Sequence, residues 1–142
     1  MPRKVVDPRY AKSKGYREAI AKIKARLKCP FCQENLGGFH KHPILREKSG
    51  WRLTRNTWPY ENAKHHFLII PRRHFETLGG LTVSDLKAVY RLAIWASRQF
   101  NIKGGAMPVR FGVTEYTGAT ICHLHYHLIQ PKMGKAVQFP VG

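Results

Sequence analysis

Three histidines, His123, His125 and His127, alternate with Leu124 and Tyr126 in the stretch Ile121-Cys122-His123-Leu124-His125-Tyr126-His127-Leu128-Ile129-Gln130. Side chains of a strand alternate between faces. A strand here sets the three imidazoles on one face and Leu124, Tyr126 and Leu128 on the other, where they can pack on a core. Imidazole changes charge near neutral pH and can act as nucleophile, proton carrier or metal ligand. A single strand histidine is ordinarily a tolerated polar residue on a solvated face. Eight histidines in 142 residues rarely put three of them in five positions by chance. The pattern is also neither consecutive nor terminal, as a purification tag would be.

Such a row suits phosphate chemistry. A neutral ring nitrogen attacks phosphorus without first losing a proton, while the other nitrogen keeps its proton and needs an acceptor to fix that tautomer. The resulting phosphoramidate is more labile than a phosphate ester, and water completes the second displacement. Neighbouring imidazoles and backbone N–H groups can stabilise charge on the phosphate oxygens.

Cys29-Pro30-Phe31-Cys32 is a second chemical feature. C-x2-C spacing in a chain without a secretory signal points to a metal before a disulfide, and a four-coordinate zinc needs two further ligands. A local set would add His40 and His42. Their single intervening residue fits poorly with the spacing of about three to five found in finger sites. The third cysteine, Cys122, reads as a small buried apolar residue.

The elements that must position these groups can be read from periodicity. Residues 1–13 are polar, hold two prolines and read as an extended arm. Tyr16, Ile20, Ile23 and Leu27 are spaced as the apolar stripe of a short amphipathic helix, with Arg17, Lys24 and Lys28 on another face. Cys29 to Gly38 is turn-rich. Ile44–Glu47 and Trp51–Arg55 read as a hairpin around Lys48-Ser49-Gly50, with Trp51 and Leu53 on one face and Arg52 on the other. Asn56–Lys64 is a loop whose Trp58-Pro59-Tyr60 could wall a nucleobase or pack over the sheet. Phe67–Ile70 is a strand buried on both faces. Thr82 with Asp85 opens a helix through a weak form of capping box. Leu86, Val89, Tyr90, Ala93 and Phe100 are expected on its core side, and its end near 101–105. Val109–Thr114 reads as another strand before the histidine strand. About five strands and a long helix make an α+β fold.

Composition bounds the partners. The chain has 43% hydrophobic residues, ordinary for a globular protein, and its length suffices for a sizeable core. It has no apolar run long enough to span a membrane, and its basic N-terminus lacks a signal's apolar core, so a cytoplasmic protein with no membrane partner is expected. The net charge of +17 is uneven: residues 1–55 carry +11 and the rest +6. That asymmetry suggests a polyanion, such as a nucleic acid contacted by the basic N-terminal half, although a generally basic protein also explains it.

The run His-Leu-His-Tyr-His-Leu-Ile resembles the signature of the histidine triad (HIT) family. Two further stretches match in the same order. His66-Phe67-Leu68-Ile69-Ile70-Pro71-Arg72-Arg73-His74 is similar to the family's earlier strand, and Cys29-Pro30-Phe31-Cys32 to the entry of its zinc-containing members. The resemblance spans Cys29 to Gln130. It divides the chain into a basic arm and helix, residues 1–28, and a HIT-like domain, residues 29–142. It implies an antiparallel sheet with flanking helices, commonly paired into a homodimer, and a nucleotide substrate. Among site residues it implies His125 as the nucleophile and His127 as the third triad histidine, contacting phosphate. His66 is the fourth active-site histidine and His123 the first of the triad. Thr120 falls where members often place a phosphate-contacting Ser, and Asn56 near the ribose. Ala119 stands where many carry Gln, which removes that contact. Cys29, Cys32, His74 and His123 match the ligands of a structural zinc.

The function expected is hydrolysis at the α-phosphate of a nucleoside phosphate conjugate, such as a dinucleoside polyphosphate or a nucleoside phosphoramidate, through a nucleotidyl-histidine. Two alternatives involve nucleic acid: removal of adenylate from nucleic-acid ends, or binding of RNA or DNA without turnover. A transferase related to galactose-1-phosphate uridylyltransferase is disfavoured by His127, since that branch lacks a full triad.

Overall fold

The computed structural model describes residues 4–26 and 28–142. Four antiparallel strands form one sheet in the order β1 (Ile44–Lys48), β2 (Trp51–Arg55), β3 (Ala63–Pro71) and β4 (Tyr126–Pro131). Helices α1 (Lys14–Arg26), α2 (Gln33–Phe39), α3 (Val83–Gln99) and the single turn α4 (Thr114–Thr117) flank it. The fold is α+β, as the sequence indicates.

The first hairpin follows from its turn chemistry. Ser49 and Gly50 both have positive φ, 47° and 81°, the left-handed pair whose twist matches that of the strands it joins. β2, β3 and β4 then share register: Thr54 faces Leu68, and Leu68 faces His127. Alternation sends Trp51, Leu53, Phe67, Ile69, Tyr126 and Leu128 to one face, where they form a core with Ala88, Val89, Leu92, Ala93 and Ala96 of α3. Arg52, Thr54, His66, Leu68, Ile70 and His127 go to the other face. There Leu68 and Ile70 meet Val5, Val6, Ile20, Cys29, Phe31, Leu36 and Ile121 in a second core.

Several expectations are refined. Val109–Thr114 is not a continuous strand. Pairing with β4 runs instead through single bridges from Ala106 and Val109, because Pro108 lacks an N–H and Gly112, at φ 89°, turns the chain toward α4. The histidine stretch becomes regular strand only at Tyr126; residues 122–125 are irregular. On α3, Leu86 and Tyr90 are exposed while three alanines face the sheet; small side chains there let the helix lie close, and the larger apolar residues point away. Phe100 is the C-cap of that helix. The turn-rich segment after Cys32 holds a helix, α2. The segment read as an arm is packed: Val5, Val6 and Asp7 are buried, Val6 bridges Ile121, and the Asp7 N–H donates to Thr120 O at 2.6 Å. Leu27, expected on the apolar stripe of α1, lies outside the described residues.

Asp85 fastens α3 to the sheet. Its carboxylate accepts from Trp51 Nε1 at 2.9 Å, from Arg73 Nη1 and Nη2 at 2.8 and 2.5 Å, and from the Thr82 N–H at 2.8 Å, closing a capping box. The Arg73 guanidinium beside it, with the other donors, holds the Asp85 carboxyl well below the usual carboxylate range despite burial. Asp85→Ala strands the Trp51 and Thr82 donors and is expected to cost about 2–3 kcal/mol in urea unfolding. A group with a depressed folded pKa stabilises above its unfolded value of about 4. The difference between wild type and variant is therefore full at neutral pH and shrinks as pH falls below that value.

Candidate active site and metal cluster

A cleft of about 630 Å³ opens on the second face of the sheet, lined by His125, His127, Asn56, Thr120, Tyr60 and Arg110 among others, a volume in the range of small-molecule sites. Strand geometry supplies its floor. His127 lies opposite Leu68 across β3–β4, so His66, two residues before Leu68, is its diagonal neighbour on the same face. The two rings meet at 2.8 Å between His66 Nε2 and His127 Nδ1.

Backbone partners assign the tautomers of His66 and His125. The Tyr60 backbone N–H donates to His66 Nδ1 at 3.1 Å, so neutral His66 carries its proton on Nε2 and donates it to His127 Nδ1. His127 then holds its own proton on Nε2. His125 has the opposite arrangement: Nδ1 donates to the His123 carbonyl at 2.7 Å, leaving a lone pair on Nε2. Burial pushes His66 down to about 3, with His125 and Arg110 adding to it, and pushes His125 down to about 4 despite its bond to the His123 carbonyl. Burial, then His125, His66 and Arg110, hold His127 well below the ordinary imidazole value. All three rings are neutral at pH 7.

Thr120 and Asn56 both reach the cleft. The Thr120 hydroxyl shares a hydrogen bond of 2.8 Å with Tyr16 of α1. Asn56 Oδ1 accepts from the Trp58 N–H at 2.8 Å, and its Nδ2 lies 3.2 Å from His66 Nε2. Tyr16 and Trp58 stack with centroids 5.6 Å apart, and a Cβ on Gly15 would come within 3.2 Å of the indole; glycine at that position lets α1 close against the loop. The chain after Lys135 returns along the cleft, where Phe139 packs on His127 and Tyr60.

His66 reaches the cleft through its bond to His127, and neither it nor His123 is in the lining. His123 Nδ1 lies 3.4 Å from Cys29 Sγ and 3.8 Å from Cys32 Sγ, and Cys32 Sγ lies 3.5 Å from His74 Nδ1. One donor atom from each of Cys29, Cys32, His74 and His123 falls within 4.8 Å of the others. Both histidines turn Nδ1 inward because Nε2 is engaged elsewhere: His123 donates to Pro71 O at 2.8 Å, and His74 faces Glu76 Oε2 at 3.3 Å. Such outer partners fix ring orientation in metal sites. The cysteines are free thiols. His40 of the local alternative is tied to Thr54 Oγ1 at 2.6 Å.

Sequence reasoning missed Arg110 and the site role of Tyr16. Arg110 was one polar residue in an expected strand. Tyr16 fitted an apolar stripe equally well. Neither has a local signal, since both reach the cleft only through tertiary packing.

Over residues 28–138 the chain matches the family described as "Scavenger mRNA decapping enzyme C-term binding". Together with its sheet and histidine cleft, this makes the chain a member of the histidine triad family. Its fold is similar to several solved HIT structures. A HIT family hydrolase from Clostridium thermocellum is 18% identical with a TM-score of 0.53, over 74% of this chain and 91% of that one. A zinc-bound histidine triad protein from Mycobacterium smegmatis is 17% identical with a TM-score of 0.55, over 73% and 76%. A HIT family hydrolase from Legionella pneumophila is 22% identical with a TM-score of 0.52, over 78% and 99%. At these identities the likeness is one of fold. No curated protein matches the chain. Among the described residues, no helix is long and apolar enough to cross a membrane.

The hydrogen-bond pattern makes a spectroscopic prediction. Long-range proton–nitrogen NMR spectra at pH 7 should show His66 and His127 neutral and protonated at Nε2, and His125 protonated at Nδ1. His66 should remain neutral at pH 5. A charged His66 at pH 5 contradicts the assignment.

Proposed function

We propose that the protein is a nucleotidyl hydrolase acting at the α-phosphate of a nucleoside phosphate conjugate. The observation that carries this reading is the bond from His125 Nδ1 to the His123 carbonyl. It leaves Nε2 of a neutral imidazole as the basic lone pair at a cleft of nucleotide size, which is the state a nucleophile needs. In the first step Nε2 forms a bond to phosphorus, and the bond from phosphorus to the leaving group breaks with its electron pair. The proton on Nε2 of His127 is available to a phosphate oxygen or the departing atom. The Thr120 hydroxyl and Asn56 hold phosphate and ribose. Water then attacks the nucleotidyl-histidine, releasing the nucleoside monophosphate and restoring the imidazole. The family description, a scavenger mRNA decapping enzyme, supports a nucleotide-derived substrate.

His125→Ala is expected to lower turnover by about four orders of magnitude with the fold retained. Rapid quenching of wild type with a panel of nucleoside conjugates should trap a nucleotidyl adduct at His125 in mass spectra. Absence of both turnover and adduct across the panel would refute the reading.

Cys29, Cys32, His74 and His123 form the set we assign to a structural zinc. The fit rests on their chemistry: two thiols and two imidazoles whose Nδ1 atoms converge suit tetrahedral zinc. Burial pushes the Cys29 thiol up to about 12, so its thiolate requires a cation beside it. Bound there, zinc supplies a crosslink between the Cys29–Cys32 loop and the sheet. The expected content is one zinc per chain by elemental analysis. Cys32→Ala or chelation should lower the thermal midpoint, because metal binding is part of folding free energy. An unchanged midpoint after complete chelation rejects the assignment.

A further inference from the structure

Among the described residues, Arg110 is a cation beside the histidines that pairs with no carboxylate. Its Nη1 donates to Tyr60 Oη at 3.1 Å, and its Nε and Nη2 donate to Pro140 O at 3.2 and 2.8 Å. Its guanidinium carbon sits 3.7 Å from the centroid of Phe139. Both aromatic partners also pack on His127: the Phe139 ring edge-on with centroids 5.1 Å apart, the Tyr60 ring at 5.7 Å. A guanidinium has five N–H donors in a fixed fork; three are used here, and Arg110 lines the cleft.

A second cation stands nearby. The Lys12 ammonium lies over the other partner of this group, 4.8 Å from the centroid of Tyr60, and Lys12 also lines the cleft. Among the described residues, neither Lys12 nor Arg110 forms an ion pair with a carboxylate. Glu61, an exposed carboxylate of the lining, is in no ion pair with either. Two like charges kept close without a counter-ion repel, and an anion between them relieves that cost. The neutral histidines offer hydrogen bonds but no formal charge. A base or sugar brings no charge to offset the pair, whereas a second phosphate does, and its oxygens suit the donors of a guanidinium.

We propose that Arg110 and Lys12 form an anion subsite beside the histidines that takes a phosphate other than the one attacked. The preferred substrates then carry a phosphorylated leaving group, as dinucleoside polyphosphates do, rather than a neutral amine. Arg110 is the specificity-determining residue. This inference rests on the hydrolase reading for its substrate class, but the anion subsite itself can be tested without turnover.

The test has two arms on the zinc-loaded full chain. In the first, inorganic pyrophosphate is titrated by calorimetry. Wild type should bind it, Arg110→Gln should weaken binding at least tenfold, and Arg110→Lys should fall between them because it keeps charge but loses the fork. Lys87→Gln, on the exposed face of α3 across the sheet, should stay within twofold of wild type. In the second arm, kcat/KM is compared for two conjugates of one nucleoside, with a pyrophosphate-linked and with an amine leaving group. Arg110→Gln should lower the ratio of the first to the second at least tenfold. Pyrophosphate affinity unchanged in folded Arg110→Gln, or in Arg110→Lys and Lys12→Gln should Arg110→Gln not fold, overturns the subsite. An unchanged kinetic ratio overturns the substrate class. Absence of turnover on every conjugate defeats the hydrolase reading instead, and the pyrophosphate arm still decides the subsite.

Discussion

The position of His123 is the constraint on which the cleft depends. Its ring Nε2 is held by the Pro71 carbonyl at the end of β3, and its Nδ1 faces the two thiols and the second imidazole of the cluster. Its own carbonyl in turn accepts from His125 Nδ1. One residue thus links the Cys29–Cys32 loop and β3 to the His125 ring.

Arg52 reinforces the same point from beneath. It is 3% exposed, yet it carries a charge, and its Nη2 donates to Phe31 O at 2.8 Å and to Pro71 O at 3.1 Å. The Pro71 carbonyl therefore receives both His123 and Arg52, and the carbonyl between the two cysteines is tied to the sheet. A buried arginine is costly unless its donors are engaged. Here Nη2 alone is engaged, joining the cysteine loop to the strand whose far end carries His66, while the buried Nε meets no acceptor among the described residues.

Neutral imidazoles and basic side chains divide the labour in this cleft. Burial keeps His66, His125 and His127 uncharged, which preserves lone pairs and directed hydrogen bonds. Formal positive charge comes instead from Lys12 and Arg110, held by Tyr60 and the returning C-terminal segment. The walls come from distant parts of the chain: Tyr16 and Lys12 from near the N-terminus, Trp58 and Tyr60 from the β2–β3 loop, and Gln138 from near the C-terminus.

Local pattern determined a good deal by itself. Alternation from Tyr126 through Leu128, the aliphatic run of β3, the hairpin at Ser49-Gly50 and the Thr82–Asp85 cap are short-range features, and steric and hydrogen-bonding rules act on them before any tertiary contact forms. The two cysteines and spaced histidines likewise announce their chemistry through residue type. What tertiary structure decided is everything that depends on long-range register. It made residues 122–125 leave regular strand geometry and separated His123 from His125 into two environments. It turned the alanine face of α3 rather than Leu86 and Tyr90 to the core, and brought Tyr16 and Arg110 to the cleft. Side-chain packing across strands far apart in sequence fixes these, and no periodicity within a window of a dozen residues carries that information.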